Sequence, residues 1–448
     1  MNSLKTSSTT GPGRLGVWIV AAVALRLVLM PFTLHGDLLF VNYFPYHLSY
    51  LGVWDIYGYF GDHYVRQYGY SYYAPMVYYL VGFFQCAFKS LSPSFAALMQ
   101  NIHTHLYAYS PLTPAECLRP FAGPEAWRLV AVMKLPYFLA DILCVALIAR
   151  VFGTSDRKKA VLLWLWNPVL VFSVYIFGQY RIYPALFLWL VIFLVQKGRR
   201  EWACICLGLM CLMDNFPWIL LLPSVVILGR NRPERVRLAA LVLLPFFVIF
   251  VPLYVSSQGF VFYAYFAPIY GVAVRQSLTL HFAPQVALAA KALLAAGYTR
   301  LLFLLFSGHW PISGIDDKAR VAFFIRLNAA ILFLFYATSQ TLVHYFMWVL
   351  PFLVFLQVFE DHRFYRLSWL LMLCLFLFNL DTRSLNAGLL LPILLEKAME
   401  IPSLHEVMGR FLPWGSVVAF SRLLFSAVCL YLAWALMARE MRPEIKNA

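Results

Sequence analysis

The chain has 448 residues, of which 62% are hydrophobic and only 12% are charged, and its mean hydropathy is +0.74. An average soluble protein is about one quarter charged, so this chain has too few charges to cover a water-facing surface, and lipid must be its main solvent. Apolar runs of roughly 17–25 residues, the length that spans a bilayer as a helix, recur along the chain. Backbone in lipid must satisfy its own hydrogen bonds, so we expect an all-α, polytopic membrane helical bundle.

The formal net charge of +15 does not indicate nucleic-acid binding. Lysine and arginine form short clusters between the apolar runs, as the positive-inside rule predicts for the cytoplasmic loops of a membrane protein. We therefore predict membrane lipids as partners and no nucleic acid. The Cys204-x-Cys206 pair has no histidine or cysteine partner at the spacing of a zinc site, so no protein-held metal is predicted.

The apolar runs predict the helices in chain order. Some runs are short and would tilt or end within the bilayer, so we expect about 12–14 transmembrane helices in a single integral membrane domain over 1–448. The predicted helices are 17–34, 74–90, 128–150, 160–176, 183–196, 202–214, 217–229, 236–256, 286–306, 321–340, 345–358, 366–380 and 416–437.

The stretch 91–127 is too polar for an ordinary membrane span. If 74–90 returns to the cytoplasmic side, the chain must cross outward again before 128–150, which ends inside at a basic cluster. Either 94–109 forms a short helix buried by protein, or one of the other predicted spans is wrong.

Polar and aromatic segments fall on one face, the outer one, when the basic clusters are placed in the cytoplasm. The first outer loop, 35–75, is predicted to be the catalytic loop and to contain amphipathic helices, and a second long outer loop covers 257–285. The shorter outer segments are 178–181, 214–217, 339–344 and 379–388. Because the polar features gather on this face, it is predicted to hold a functional site.

Asp37 follows the first predicted helix directly, within His35-Gly36-Asp37. A positioned carboxylate can take the proton of a sugar hydroxyl, which is the task of a general base in glycosyl transfer. The alternative is structural, because the same carboxylate can pair with an arginine or cap a helix. Asp55, in Trp54-Asp55-Ile56-Tyr57, is expected to cap an interfacial helix. The tyrosines of this loop either stack on carbohydrate or form an interfacial aromatic belt.

Arg181 and Arg275 lie on the predicted outer face beside apolar helix ends. A guanidinium fork there suits a phosphate, and the alternative is interfacial snorkelling of the side chain. His344 stands where a late helix is entered from outside. Its imidazole can hold a phosphate or sugar oxygen, or it can be an ordinary polar residue at a helix end.

Arg26, Lys134 and Asp141 lie inside predicted membrane spans, where charges are costly and need partners. Lys134 and Asp141 are seven residues apart and share one helix face. We expect these charges to hold the bundle together. The alternative for Arg26 is that it reaches outward to a lipid phosphate.

Together these elements resemble the membrane-embedded GT-C glycosyltransferases, and in particular the bacterial polyprenol-phosphate-mannose-dependent mannosyltransferases. Four pieces match the family's order and span most of the chain. They are Arg26-Leu27 before His35-Gly36-Asp37, Trp54-Asp55-Ile56-Tyr57 before Tyr72-Tyr73-Ala74-Pro75, Trp166-Asn167-Pro168 before Gly178-Gln179-Tyr180, and the segment from His344 to Pro351.

The resemblance implies a GT-C-like bundle in the inner (plasma) membrane. It implies transfer of a hexose, mannose in the first place, from a polyprenyl-phosphate sugar donor to a glycan or glycolipid acceptor on the outer face. The family's proposed base carries over to Asp37, and its late histidine, which contacts the donor, carries over to His344. The residues predicted to bind substrate are His35, Tyr57, Tyr73, Gln179, Arg181, Arg275, His344 and Tyr345.

The implied reaction requires no cofactor and no nucleotide sugar, and a divalent cation bridging Asp37 and the donor phosphate is compatible with it. A transporter or flippase for lipid-linked glycans is the alternative function, which would use the same cations and aromatic residues without a base. The long, carboxylate-bearing outer loop 35–75 favours the enzyme, because transporters place their charges near the bilayer midplane.

Two positions depart from the family pattern. The family's glycine-glutamine-x-aspartate is Gly178-Gln179-Tyr180-Arg181 here, so a cation replaces a carboxylate. The family's lysine-proline is missing near Asn215-Phe216-Pro217, where Asp214 stands instead. These changes indicate a different sugar, a different acceptor or a drifted site.

Overall fold

The computed structural model describes residues 12–61, 73–107, 114–121, 123–262, 265–266, 284–307, 316–339, 341–380, 385, 387–395 and 397–440. Within these ranges the chain forms helices and no strand, which confirms the predicted all-α class. The helices of ten or more residues are α1 (Pro12–Phe32), α2 (Gly36–Leu51), α3 (Pro75–Ala87), α4 (Phe95–Tyr107), α5 (Pro124–Val151), α6 (Thr154–Leu165), α7 (Ile182–Gln196), α8 (Arg200–Cys211), α9 (Trp218–Leu228), α10 (Arg232–Ser256), α11 (Pro284–Phe306), α12 (Asp317–Thr338), α13 (Leu350–Phe359), α14 (His362–Asn379) and α15 (Trp414–Glu440).

Shorter helical pieces connect these helices. A π-helical turn over Val171–Ile176 and a 3₁₀ helix over Val343–Trp348 carry residues of the candidate site. The remaining pieces are Lys89–Leu91, Pro114–Leu118, Arg119–Phe121, Pro168–Leu170, Ala387–Leu390, Leu391–Leu394, Lys397–Met399 and Leu404–Met408.

Seven helices in the described part of the chain are long and apolar enough to cross a membrane. They are Leu15–Phe32, Pro124–Val151, Thr154–Ile176, Arg232–Ser256, Ala289–Phe306, Asp317–Thr338 and Trp414–Ala438. Four further helices, α3, α7, α9 and α13, are apolar but shorter than 18 residues. The protein is therefore a multi-pass membrane protein. The count of 12–14 spans and the particular membrane remain predictions.

Polar side chains fix several helix starts. The carboxylates of Asp316 and Asp361 accept hydrogen bonds from the backbone N–H of Ala319, at 2.6 Å, and of Phe364, at 2.9 Å. Asn167 caps the short helix that leads into the π-helical turn. Each cap satisfies a backbone donor that has no partner inside its own helix.

The helix α3 lies across one end of the bundle. Its Met76 N–H donates to the carbonyl of Leu212, directly after α8, at 2.9 Å, and its Phe84 ring stacks on Tyr183 in the first turn of α7. α7 and α8 are joined by a tight turn, so the start of α7 and the end of α8 lie at the same end of the bundle, which we call the upper end. Because both ends of α3 contact this upper end, 74–90 has no need to return to the cytoplasmic side.

The same arrangement explains the polar stretch 91–127. The short helix predicted over 94–109 is present as α4, and it packs on α2 through a 2.6 Å contact of the Tyr43 hydroxyl with His103 Nδ1 and a ring contact between Tyr46 and Phe95. α2, α3 and α4 thus form a layer at the upper end, and no crossing within 91–127 is required. Within the predicted first outer loop, 35–75, α2 is helical, and the amphipathic character expected there stays a prediction.

Two of the charges inside the bundle, Arg26 and Asp141, form an ion pair. Arg26 Nε lies 2.7 Å from Asp141 Oδ2, and both side chains are fully buried. The Asp141 carboxylate also accepts hydrogen bonds from Trp164 Nε1, at 2.7 Å, and from the Tyr175 hydroxyl, at 2.6 Å. This confirms the structural interpretation of the pair. The alternative, an Arg26 that reaches a lipid phosphate, is wrong because the guanidinium faces Asp141.

Candidate active site

Asp37 stands in the first turn of α2, at the upper end of the bundle. The helix cap is His35, whose Nδ1 accepts the Asp37 backbone N–H at 3.2 Å, so the Asp37 carboxylate does not cap the helix. A carboxylate is favoured at this position by the helix dipole. Its side chain is 38% exposed and, within the described residues, has no lysine or arginine within 4 Å. The carboxylate is therefore open to an incoming hydroxyl.

Gln179 fixes the orientation of the Asp37 carboxylate. Its Nε2 donates to Asp37 Oδ2 at 2.5 Å, while its Oε1 accepts a hydrogen bond from Arg181 Nη1 at 2.9 Å. Only this orientation of the amide satisfies both neighbours. Gln179 is almost fully buried and therefore rigid. The three residues form a chain that runs from a buried cation to an exposed anion.

Arg181 is buried and ion-paired, whereas the sequence predicted a side chain on the outer face. Its Nε lies 3.3 Å from Asp214 Oδ2, and the side chains of both residues are less than one tenth exposed. Its guanidinium lies over the ring of Tyr345, at 4.2 Å from the centroid, and Trp348 Nε1 donates to Asp214 at 3.2 Å. Burial raises the pKa of the Asp214 carboxyl, and the charge of Arg181 opposes this rise. The guanidinium of Arg181 is therefore buried beside the site in an ion pair. A direct contact of Arg181 with phosphate remains a prediction.

The two departures from the family pattern prove to be partners. A cation, Arg181, stands where the family has a carboxylate, and an acid, Asp214, stands close to where the family has a lysine. The structure joins these two residues in one ion pair. The two charges thus compensate each other, and the meaning of the departures for sugar, acceptor or activity stays open.

His344 lies beside the same cluster, in the 3₁₀ helix. Its ring centroid is 4.8 Å from that of Phe177, and Phe177 stacks on His35 at 3.8 Å. Burial lowers the pKa of His344 well below its usual value, and the positive charges of Arg181 and His35 lower it further. The imidazole is therefore neutral at pH 7 and can offer one N–H as a hydrogen-bond donor. A contact of His344 with a phosphate or sugar oxygen stays a prediction.

Two predicted tyrosines have different positions. Tyr73 is partly buried, and its ring meets Tyr180 edge-on at 5.2 Å. Tyr57 is only 1% exposed, and its hydroxyl donates to the Tyr73 carbonyl at 2.5 Å. The Tyr57 side chain is thus enclosed and supports Tyr73, and its contact with substrate stays a prediction.

The structure also answers other expectations for the outer segments. Asp55 caps a short helix, as predicted, since its Oδ1 accepts the N–H of Gly58 at 2.8 Å. Arg275 and most of the predicted loop 257–285 lie outside the described residues. Sequence reasoning missed the roles of Phe177 and Trp348, although the first precedes Gly178-Gln179 and the second belongs to the His344–Pro351 segment.

Within the described part of the chain, no group of three or more histidine, cysteine, aspartate or glutamate residues is placed to hold a metal ion. A divalent cation shared between Asp37 and a donor phosphate would need fewer protein ligands, so that expectation is untested. Comparisons with models of known protein families and with curated protein sequences found no match.

Proposed function

We propose that the protein is a GT-C-type glycosyltransferase. It transfers a hexose, with mannose as the favoured sugar, from a polyprenyl-phosphate sugar to a lipid-linked or glycan acceptor on the outer face of the membrane. The observation that supports this most is the exposure of the Asp37 carboxylate together with its contacts. Its carboxylate is accessible, lies 3.4 Å from His35 Nδ1, has no lysine or arginine partner within the described residues and is oriented by a buried amide.

In the proposed reaction, the acceptor hydroxyl oxygen attacks the anomeric carbon of the donor sugar. The bond from that carbon to the phosphate oxygen breaks, and the polyprenyl phosphate leaves with the electron pair. Asp37 takes the proton of the attacking hydroxyl as general base. Because the attack comes from the side opposite the leaving phosphate, the anomeric configuration is inverted.

The developing charge on the leaving phosphate needs donors that are already in place. Neutral His344 can offer an N–H, and the Arg181–Asp214 pair contributes a fixed local dipole. His35 and Tyr73 line the approach to Asp37, since both are partly exposed and stand beside it.

The proposal is tested with purified protein in vesicles that contain a polyprenyl-phosphate hexose and a glycolipid acceptor. Formation of glycosylated acceptor, with release of polyprenyl phosphate in equal amount, supports the transferase. Translocation of the donor across the vesicle membrane without product supports the alternative, a transporter or flippase, and contradicts the proposal. Adding EDTA to the same assay shows whether a divalent cation takes part.

A further inference from the structure

Two short chain segments run side by side under the candidate site. One, 33–37, leaves α1 and enters α2, and the other, 175–179, leaves the π-helical turn. They touch at three levels, spaced two residues apart in both segments. The middle level is the stack of His35 on Phe177, and the top level is the hydrogen bond of Gln179 to Asp37.

The lowest level is made by Lys134 of α5. Its Nζ donates to the Thr33 carbonyl at 2.6 Å, to Thr33 Oγ1 at 2.9 Å and to the Tyr175 carbonyl at 2.6 Å. Thr33 Oγ1 in turn lies 2.7 Å from the Tyr175 carbonyl. Lys134 therefore ties together residues 33 and 175, which each precede a site residue, Asp37 or Gln179, by four positions.

These carbonyls need a donor, because both segments begin where a helix ends. The last carbonyls of a helix have no N–H partner within it, and they form the negative end of its dipole. An ammonium group has three N–H donors, and all three of Lys134 are used on neutral oxygens of these two segments. Lys134 is fully buried. Lys134 Nζ thus caps two helix ends at once, and all of its contacts are made to oxygens of the protein.

We propose that Lys134 is a positioning residue for the reaction: it sets the register of 33–37 against 175–179 and so aligns the Asp37 carboxylate with Gln179. The expected effect of Lys134 on the transfer rate rests on the proposed function. A displacement of a reacting group by about 1 Å can lower the rate by about 100-fold. Because the three levels are spaced evenly along both segments, Lys134 can change the position of Asp37 without touching the substrate.

The first test is the rate of transfer by Lys134→Met, which keeps the length of the side chain and removes its donors. We expect kcat per folded protein to fall by about 100-fold, with little change in KM for the donor. Thr33→Val keeps the shape of the side chain but removes one acceptor of Lys134 and the hydroxyl that lies 2.7 Å from the Tyr175 carbonyl, and it should lower kcat in the same direction by less. The control is Tyr137→Phe, one helical turn away in α5, whose buried hydroxyl has no partner among the described residues. It should turn over like the wild type.

The second test measures the register without any activity. Asp37→Cys and Gln179→Cys are combined in a Cys86→Ser background, because Cys86 is the exposed cysteine of the chain. We expect a short bifunctional thiol reagent to cross-link the pair quickly, and Lys134→Met or Thr33→Val to slow this cross-linking severalfold. If both substitutions only lower the unfolding temperature and leave kcat and cross-linking unchanged, Lys134 merely stabilises the bundle and the inference is overturned. If the wild type transfers no sugar, the proposed function fails, while the cross-linking still decides the role of Lys134 in the register.

Discussion

At the scale of residues, the site consists of one accessible charge and one compensated pair. Asp37 keeps its negative charge in contact with a neutral amide, whereas Arg181 and Asp214 neutralise each other in a buried setting. This division suits acid–base chemistry, since a base that is paired with an arginine would hold a proton poorly. The paired charges still shape the local potential, because water is largely absent there.

The ion pair yields the first prediction. Arg181→Gln or Asp214→Asn leaves the other charge buried without a partner, and we expect each to lower the free energy of unfolding by about 3–5 kcal/mol. The double substitution Arg181→Asp with Asp214→Arg restores opposite charges in exchanged positions and should recover more than half of that loss. Chemical denaturation in detergent measures all four proteins. A double variant less stable than either single variant would contradict the compensation of charges.

At the scale of elements, the site depends on how helices end at the upper end of the bundle. The π-helical turn closes with the Phe177 N–H bonded to the Phe172 carbonyl at 2.7 Å and the Gln179 N–H bonded to the Ser173 carbonyl at 2.8 Å. Gly178 between them has a φ of +83°. Such turns are frequent at functional sites, and here the turn directs Gln179 toward Asp37.

Gly178 carries the second prediction. A Cβ at this position would lie 3.2 Å from Leu38 in α2, and its backbone conformation is one that other residues rarely adopt. We expect Gly178→Ala to cost about 1–3 kcal/mol of stability and to reduce turnover, because it pushes α2 and Asp37 away from Gln179. Gly153→Ala is the matched control, since Gly153 has negative φ and open space around it. Equal stability and equal turnover of the two variants would rule out this role of Gly178.

The sequence allowed the residue types of the site to be predicted, but not most of their contacts. Asp37, Gln179, Arg181 and His344 each follow or precede an apolar run, so charge-based sidedness was enough to place them on one face. The pairing of Arg181 with Asp214 joins positions 33 residues apart in the chain, and no local pattern encodes it. The role of Lys134 was hidden for another reason, because two of its three partners are backbone carbonyls, which leave no trace in the side-chain sequence.

At the scale of the whole molecule, the upper-end layer decides the topology. Hydropathy alone does not distinguish an apolar helix that crosses a bilayer from one that lies across the end of a bundle. α3 is 13 residues long, and both of its ends contact the upper end. A helix of this length spans about 20 Å, less than the roughly 30 Å hydrocarbon core. The helical class is confirmed, whereas the path of the chain through 74–127 stays a prediction.

This topology gives the third prediction, which uses single cysteines in the Cys86→Ser background. Ser90→Cys, just after α3, and Lys158→Cys, in the basic cluster, are both at exposed positions. We expect a membrane-impermeant maleimide to label Ser90→Cys on intact cells and Lys158→Cys only after permeabilisation. Labelling of both cysteines only after permeabilisation would mean that α3 returns through the membrane.

The central claim is that Asp37 is the base of a sugar transfer. Its most direct test is the single-turnover rate of hexose transfer by purified Asp37→Asn, compared with Asp55→Asn as the control in the same loop. Asparagine can still accept the hydrogen bond from Gln179, but it cannot take a proton, whereas at position 55 it can still cap its helix. We predict that Asp37→Asn is slower than the wild type by about 100- to 10,000-fold with an unchanged unfolding temperature, and that Asp55→Asn transfers at the wild-type rate. Wild-type turnover by folded Asp37→Asn would contradict the account.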